Sequence, residues 1–341
     1  MSFTDITVVG ITGADSYTEG TMYAIIRSCA ELPGSRGLLI SPSCPQGLPE
    51  NIRHQPCRKF GYLEYNLFVL YQLMYYIDTD YCLIVQNDGW VLNGQNWQDA
   101  YREYDYIGAP LPILLETEAD GQFFLKGTDQ YLAKQHLIQT SPNLDEPQNG
   151  GFSLRSRRLL AMPRQLGLNV EIRPPLPPKD EKIADMEWLV RLHHEDMFLT
   201  AQHRYRLQDL GLKFAPPNIA TQFSLEVPFI NQMRNVPLER VFGAHWMGNV
   251  VLTGCNRVRF AQLNEDRLET YSRFLEIWVM NGNKLRPSES SDGLLLMAVS
   301  VDDGGHGVQP RVWCRQVRSA LHKLCPAGIR FYRCNRSRSL L

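Results

Sequence analysis

Short apolar runs alternate with longer segments of helical periodicity in the first hundred residues. Ile6–Ile11 is a β-branched run, and Tyr17–Glu31 has apolar residues at helical spacing. Two further short runs, Gly37–Ser41 and Tyr81–Val85, flank the long apolar segment Phe60–Ile77. This pattern predicts three strands alternating with two helices, which is typical of a doubly wound, Rossmann-like α/β sheet.

The hydrophobic pattern becomes weaker in the middle of the chain. Acidic and polar residues dominate between Leu115 and Pro147, so we expect an insertion or mobile loop at residues 116–144. The run Pro-Pro-Leu-Pro-Pro at residues 174–178 predicts a stiff, extended linker. A helix is predicted after it, over Ile183–Leu192.

The C-terminal region differs in composition from the rest. A Ser-rich loop at Pro287–Asp292 precedes a predicted strand, Leu294–Val301, and no acidic residue occurs from Gly304 to Leu341. That tail carries the basic residues Arg311, Arg315, Arg318, Lys323, Arg330, Arg333, Arg336 and Arg338. Two interpretations stay open: a basic helix that rests on an anionic membrane, or a docked helix with a solvated basic rim.

Composition narrows the class of protein. With 341 residues, 44% hydrophobic and 21% charged, the chain can bury a large core. A formal net charge of -1 argues against a nucleic-acid partner. The eight cysteines form no CxxC pair and no zinc-ligand spacing, which indicates reduced thiols. The first apolar run is too short for a signal peptide and polar residues interrupt Phe60–Ile77, so we expect a cytoplasmic protein.

The loop after the first strand raises the possibility of dinucleotide binding. Gly10-Ile-Thr-Gly13 resembles the phosphate loop of short-chain dehydrogenases, but the GxGxxG pattern is not completed. Tyr131 is followed four positions later by Gln135 instead of the lysine that such enzymes need. Hydride transfer is therefore not expected, although the last two loop residues, Thr12 and Gly13, can still cover a nucleotide's base and ribose.

Polar residues follow the strand that ends at Val85. Gln86-Asn87-Asp88-Gly89 stands at its carboxyl end, which is where open α/β sheets bind ligands. An ordinary Asn-Asp-Gly turn is the alternative interpretation. A basic turn before the long helix, with Arg53, His54, Arg58 and Lys59, can neutralise a diphosphate, but we favour a solvated turn.

Five segments, taken in order, resemble the GT-A glycosyltransferases. More closely, they resemble an uncharacterised bacterial and fungal group of predicted glycosyltransferases, a domain of unknown function, over about residues 5–250. The segments are Val85–Trp90, Asp105–Pro110, Asn149–Arg155, His194–Phe198 and Phe242–His245. The resemblance implies a GT-A fold with a mixed sheet, a nucleotide-sugar donor, and a glycan or lipid-linked acceptor.

The resemblance also implies a cation site. Gln86-Asn87-Asp88 stands where the family has Asp-x-Asp, so Asp88 is the expected ligand of Mn²⁺ or Mg²⁺ under the donor diphosphate. His245 resembles the late histidine that completes the metal shell. Gln86 replaces the first acid and adds no charge, which lowers the expected metal affinity. Trp246 either stacks on a sugar ring or fills the core.

Two further segments acquire roles from the resemblance. Gly150 and Gly151 correspond to the glycine-rich wall of the sugar pocket, where a backbone without Cβ allows close approach. Asp196 of the pair Glu195-Asp196 corresponds to the base that deprotonates the acceptor hydroxyl in inverting enzymes. The alternative interpretation is that these two acids stand at the start of a helix and only interact favourably with its dipole.

These roles divide the chain into a nucleotide-binding subregion at 1–115, the insertion at 116–144, an acceptor and catalytic subregion at 145–250, and an appendage at 251–341. The main rival hypothesis is a non-catalytic nucleotide-sugar or glycan-binding protein, because the acidic pair is incomplete. A sugar-nucleotide pyrophosphorylase is disfavoured, since its Gly-rich basic signature after the first strand is missing.

Overall fold

A computed structural model describes residues 2–172, 193–260, 268–280 and 284–285. The chain divides into two compact units, Met1–Trp246 and Met247–Leu341. Several sequence predictions lie outside the described residues: the proline-rich linker, the helix at 183–192, the Ser-rich loop, the strand at 294–301 and the basic tail.

The strands of the first unit, in chain order, are β1 (Ile6–Ile11), β2 (Arg36–Ser41), β3 (Ile52–Pro56), β4 (Tyr81–Val85), β5 (Gly89–Val91), β6 (Tyr106–Pro110), β7 (Leu114–Thr117), β8 (Phe123–Lys126), β9 (Leu144–Asp145), β10 (Gln148–Ser156), β11 (Ser224–Leu225) and β12 (Gly243–His245). Its α-helices are α1 (Asp15–Glu31), α2 (Tyr62–Tyr71), α3 (Thr128–Lys134), α4 (Arg157–Gln165), α5 (Glu195–Met197), α6 (Arg204–Asp209), α7 (Pro217–Phe223) and α8 (Pro228–Met233). A π-helix covers Phe198–Gln202, and 3-10 turns cover Leu73–Tyr76, Gly94–Asn96, Asp99–Glu103, Gln135–Leu137 and Leu238–Arg240.

The central sheet has six strands in the order β3-β2-β1-β4-β10-β6. The first four are parallel to their neighbours, and β10 runs antiparallel to both β4 and β6. A second sheet has the strand order β11-β12-β5. The chain enters its strand β5 directly from the turn that follows β4. The α/β class with a mixed, Rossmann-like sheet is thereby confirmed.

Helices cover both faces of this sheet because residues alternate in β1. Val9 and Ile11 face a core that includes Val69 and Leu73 from the α2 region and Leu160 of α4. Gly10, between them, faces Ile25 of α1 on the opposite side. The period-two pattern of β1 therefore produces the doubly wound arrangement.

One predicted helix is shorter than expected. The segment Phe60–Ile77 was predicted as one helix, but α2 ends at Tyr71 and Gln72 has a non-helical φ of -120° before a 3-10 turn. No Pro or Gly marks this break in the sequence. Burial of Leu73 and Ile77 beneath the sheet accompanies the break, so tertiary packing overrides helix propensity here.

The segment expected to be an irregular insertion is folded. It forms a three-stranded sheet, β8-β7-β9, and the helix α3. Tyr131 of α3 is fully buried, and its hydroxyl donates a hydrogen bond to Glu146 Oε1 at 2.7 Å. The strands have two to four residues each, which is too short to produce a clear alternation in sequence.

The second unit contains β13 (Val250–Gly254), β14 (Arg257–Phe260), β15 (Lys284–Leu285) and α9 (Leu268–Met280). The strands β13 and β14 are antiparallel, and Phe260 packs against Tyr271 and Phe274 of α9. Among the described residues of both units, no helix has the length and apolar character needed to cross a bilayer.

Candidate functional site

The polar segment after β4 forms a tight turn. The backbones of Gln86 and Gly89 exchange two hydrogen bonds of 2.9 Å, so the chain reverses through Asn87 and Asp88 into β5. In β12, His245 pairs with Gly89, and the next residue, Trp246, donates its N–H to the Asp88 carbonyl at 2.7 Å. The interpretation as a turn is therefore correct for the backbone, and the same turn brings the Asp88 side chain to His245.

His245 lies between two carboxylates. Its Nε2 is 3.6 Å from Asp88 Oδ2, and its Nδ1 is 3.6 Å from Glu226 Oε1. Burial by itself lowers the pKa of this imidazole, but Asp88, Glu226 and Asp196 outweigh burial and raise it to about 9. An imidazole held in this way carries a positive charge at neutral pH unless a ligand displaces its proton.

Asn149 connects this cluster to β10. Its Nδ2 donates to Glu226 Oε1 at 3.1 Å, and its Oδ1 accepts from the Gly151 N–H at 2.6 Å. No described residue forms a hydrogen bond with the second oxygen of Glu226, which is buried. Glu226 thus presents one engaged and one unengaged carboxylate oxygen inside the cluster.

The two glycines of β10 make room for protein side chains. A Cβ on Gly151 would lie 2.5 Å from His245 Nε2, and a Cβ on Gly150 would lie 2.1 Å from Glu195 Oε1. The sequence led us to expect that this missing volume admits donor and acceptor. In the fold it admits the imidazole and the carboxylate, which brings both groups against the central sheet.

Glu195 is occupied by a buried ion pair. Its Oε2 lies 2.5 Å from Nη1 of Arg155, which is fully buried and has its guanidinium 4.9 Å from the Tyr106 ring centroid. Asn66 of α2 accepts the Glu195 backbone N–H at 2.7 Å. Glu195 therefore fixes the position of its segment against β10, and Arg155 neutralises it.

Asp196 is held differently, with both carboxylate oxygens accepting backbone N–H groups. Oδ2 accepts from Gly150 at 3.1 Å, and Oδ1 accepts from Met197 at 2.7 Å. Its side chain is partly exposed. Burial and the neighbouring charge of Glu195 raise the pKa of Asp196 to about 7. A π-helix follows directly, a feature frequent at functional sites.

The residues expected on the donor side meet at one edge of the sheet. In the parallel pair β1–β4, Gly10 stands opposite Val85, so Thr12 and Gly13 emerge beside Gln86 and Asn87. The Gly13 carbonyl accepts from the Phe60 N–H at 3.2 Å. The side chain of Gln86 donates to Tyr65 Oη at 3.1 Å.

Asp88 and His245 carry atoms of the types that ligate Mn²⁺ and Mg²⁺. Asp88 and His245 are separated by a distance that two ligands of one ion also have. Among the described residues, no group of three or more His, Cys, Asp or Glu side chains fits a metal ion. Two protein ligands are what Mg²⁺-type ions commonly use when phosphates and water supply the others.

Two alternatives left by the sequence are decided by contacts. Trp246 is 2% exposed and packs against Trp90, with ring centroids 6.3 Å apart, so it fills the core. In the basic turn, Lys59 pairs with Asp15 at 2.7 Å with both side chains exposed, and Arg53 Nη2 donates to the Tyr76 carbonyl at 2.9 Å. Arg53 and His54 lie in β3, so the predicted turn is wrong for these two residues, whereas the exposed Lys59 agrees with a solvated loop after that strand.

Sequence reasoning missed Glu226 and Arg155. Arg155 is a charged residue in the predicted strand that begins at Phe152, and a charged residue in a buried strand requires a partner. Glu226 had no comparable signal, because no motif surrounds it in the sequence. The parallel pairing of β11 with β12 brings it to His245.

Comparison with solved structures finds similarity to galactosyltransferases. One is a galactosyltransferase LgtC in complex with donor and acceptor sugar analogues, at 12% identity and a TM-score of 0.39, covering 83% of this chain and 98% of that one. Another is an active-site mutant of LgtC, at 13% identity and a TM-score of 0.39, with the same coverage. No curated protein sequence matches this chain.

A match to a protein family covers the site. Residues 60–245 match the family described as a protein of unknown function, DUF5672. This range is more than half of the chain and includes all five segments on which the sequence resemblance was based. It contains Asp88, Asp196, Glu226 and His245. The chain belongs to the DUF5672 family.

Proposed function

We propose that this protein is a glycosyltransferase of the GT-A type that transfers a sugar from a nucleoside-diphosphate sugar, a UDP-sugar first among the candidates, to a hydroxyl of a glycan or glycolipid. The order of the five sequence segments supports this function. The observation that carries it is Asp196, a partly exposed carboxylate with a pKa of about 7, held by two backbone N–H groups.

Asp196 has the properties of a general base. The N–H groups of Gly150 and Met197 hold both of its oxygens, so the carboxylate needs little reorganisation to accept a proton. Its pKa near neutrality keeps a large deprotonated fraction at physiological pH while it remains basic enough to act. Glu195 is committed to Arg155 and serves as a positioning residue.

The proposed step is a single displacement. The acceptor hydroxyl gives its proton to Asp196, and its oxygen forms a bond to the anomeric carbon. The bond from that carbon to the diphosphate oxygen breaks, and the nucleoside diphosphate leaves with the electron pair. Attack opposite the leaving group inverts the anomeric configuration.

Asp88 and His245 are the residues that would hold Mn²⁺ or Mg²⁺, and the bound cation would neutralise charge on the departing diphosphate. Glu226 faces the other ring nitrogen of His245, so it orients the imidazole with Nε2 toward Asp88. Asn149 holds Glu226 in turn. Replacement of the usual first acid by Gln86, whose amide is bonded to Tyr65, is consistent with a weakly held cation.

Gln86 also favours the alternative, a non-catalytic nucleotide-sugar or glycan-binding protein, because the site lacks one expected charge. The test is release of nucleoside diphosphate from a panel of UDP- and GDP-sugars with Mn²⁺ and simple glycoside acceptors. Asp196→Asn should lower kcat by about 10²-fold to 10⁴-fold with little change in donor affinity. The exposed acid Asp209 of α6 supplies a matched control, Asp209→Asn.

The anomeric configuration of the product, read by NMR, should be opposite to that of the donor. A retained configuration, or full activity of the Asp196→Asn enzyme, contradicts the proposed base. Binding of a nucleotide sugar without turnover under every condition supports the binding protein instead.

A further inference from the structure

An exposed aromatic ring lies beside the proposed base. Tyr62, the first residue of α2, is 60% exposed. The Tyr62 and His194 rings form a T-shaped pair, with centroids 5.1 Å apart at 82°, and His194 is two residues before Asp196. Burial and the charges of Asp196 and Glu195 raise the pKa of the Tyr62 hydroxyl, which agrees with this proximity.

A second tyrosine lies beside this ring. Tyr65, one turn further along α2, stacks parallel to it with centroids 6.4 Å apart and an interplanar angle of 6°. Beside this neighbour, Tyr62 keeps 60% of its surface exposed. Since the hydroxyl of Tyr65 accepts a hydrogen bond from Gln86 at the end of β4, the stacked pair extends from the donor edge of the sheet to the proposed base.

The charges near this exposed ring favour one class of ligand over another. Burial and then the charge of Asp196 raise the pKa of the Tyr62 hydroxyl, so an acidic group lies near this ring and disfavours an anionic ligand such as a diphosphate. A pyranose is neutral, with an apolar face of C–H groups and a rim of hydroxyls. The negative face of an aromatic ring attracts such C–H groups.

We propose that Tyr62 is the platform of an acceptor subsite, where its exposed ring stacks against a pyranose ring whose hydroxyl faces Asp196. This inference rests on the proposed glycosyl transfer and adds the acceptor class, a neutral sugar. A nucleobase could also stack on tyrosine, and the experiment separates the two.

The experiment measures saturation-transfer NMR from the full chain to the methyl pyranosides of glucose, galactose and mannose, and UDP binding by calorimetry with Mn²⁺. In Tyr62→Ala, the Kd for the pyranoside should rise about 5- to 10-fold, since a lost stacked contact is of this order. Tyr62→Phe should keep the affinity. Tyr75, which is 53% exposed in the 3-10 turn after α2, supplies the control Tyr75→Ala, which should change neither ligand.

Loss of pyranoside binding in Tyr62→Ala with UDP binding within about twofold of the parent supports the subsite. Unchanged pyranoside binding in Tyr62→Ala, or no pyranoside binding by the parent chain, overturns it. Loss of UDP binding with pyranoside binding retained assigns the ring to the nucleobase and also overturns it. Pyranoside binding that depends on Tyr62 in a chain with no transfer activity supports the platform and contradicts the proposed enzyme.

Discussion

Two adjacent acids in this protein, Glu195 and Asp196, have different environments because their partners differ. Glu195 is paired with the fully buried Arg155, whereas Asp196 accepts two neutral N–H groups and remains partly exposed. Burial and the charge of Glu195 then raise the pKa of Asp196 to about 7. Of these two adjacent carboxyls, one is thus ion-paired and the other has a raised pKa.

The pH dependence of transfer follows from Asp196. A base acts only when deprotonated, so kcat/KM should be constant above about pH 7 and fall about tenfold per unit below it. The contribution of Asp196 to the free energy of unfolding depends on the same raised pKa. Because the folded pKa is raised, the contribution of Asp196 to stability is fully present below pH 4 and is lost as pH rises through 7. An initial-rate profile that is flat from pH 5 to 8 contradicts this assignment.

Breaking the buried ion pair Arg155–Glu195 should lower the stability of the fold strongly. Glu195→Gln leaves the Arg155 charge unpaired inside the protein, which should lower the free energy of unfolding by about 3 kcal/mol. Urea unfolding at pH 7.5 measures it. The partly exposed pair Lys134–Glu116 supplies a control, and Lys134→Ala should cost less than about 1 kcal/mol. Equal, small effects of both changes would mean that the Arg155 charge is solvated.

Four elements meet to form the site. The strand β10 brings its two glycines against α5 and β12, and the turn after β4 presents Asp88 to the end of β12. The register of β12 with β5 sets His245 opposite Gly89, so a shift of one residue would turn the imidazole to the other face. The chemistry therefore depends on close packing of strand edges.

This packing can be tested at Gly151. In Gly151→Ala the new Cβ would meet the His245 ring at 2.5 Å, so the imidazole must move away from Asp88. We expect loss of Mn²⁺-dependent thermal stabilisation by UDP, as in Asp88→Ala. Gly127, where a Cβ would meet nothing within 4 Å, supplies the control Gly127→Ala. Stabilisation by UDP that is the same in all three variants and insensitive to chelator would exclude the cation site.

On the scale of the molecule, the site residues all belong to the unit Met1–Trp246, and the acid-free tail belongs to the other unit. The finer division into donor and acceptor subregions stays a prediction. An acceptor attached to lipid would require the enzyme to work near a membrane, and a basic tail suits an anionic surface.

Removal of residues 305–341 tests the tail. If the tail rests on lipid, its removal should lower binding to vesicles that contain phosphatidylglycerol and leave binding to phosphatidylcholine vesicles unchanged. Sedimentation at low and high salt measures both, since the electrostatic part should weaken with salt. Absent or salt-insensitive binding by the full chain would favour the docked helix.

The sequence by itself determined the elements whose residues interact locally. The β-branched runs, their alternation with helical segments and the polar residues after Val85 predicted the sheet and its ligand-binding edge, because strand and helix periods and the position of strand ends are written in consecutive residues. The resemblance carried by the ordered segments led to the prediction that Asp88, Asp196 and His245 share one site. Tertiary structure alone decided the partners. Glu226 reaches His245 through strand pairing, and Arg155 takes the charge of Glu195 across some forty positions of the chain. Burial and charge act through space, and therefore the pKa of Asp196 could not be predicted from the sequence.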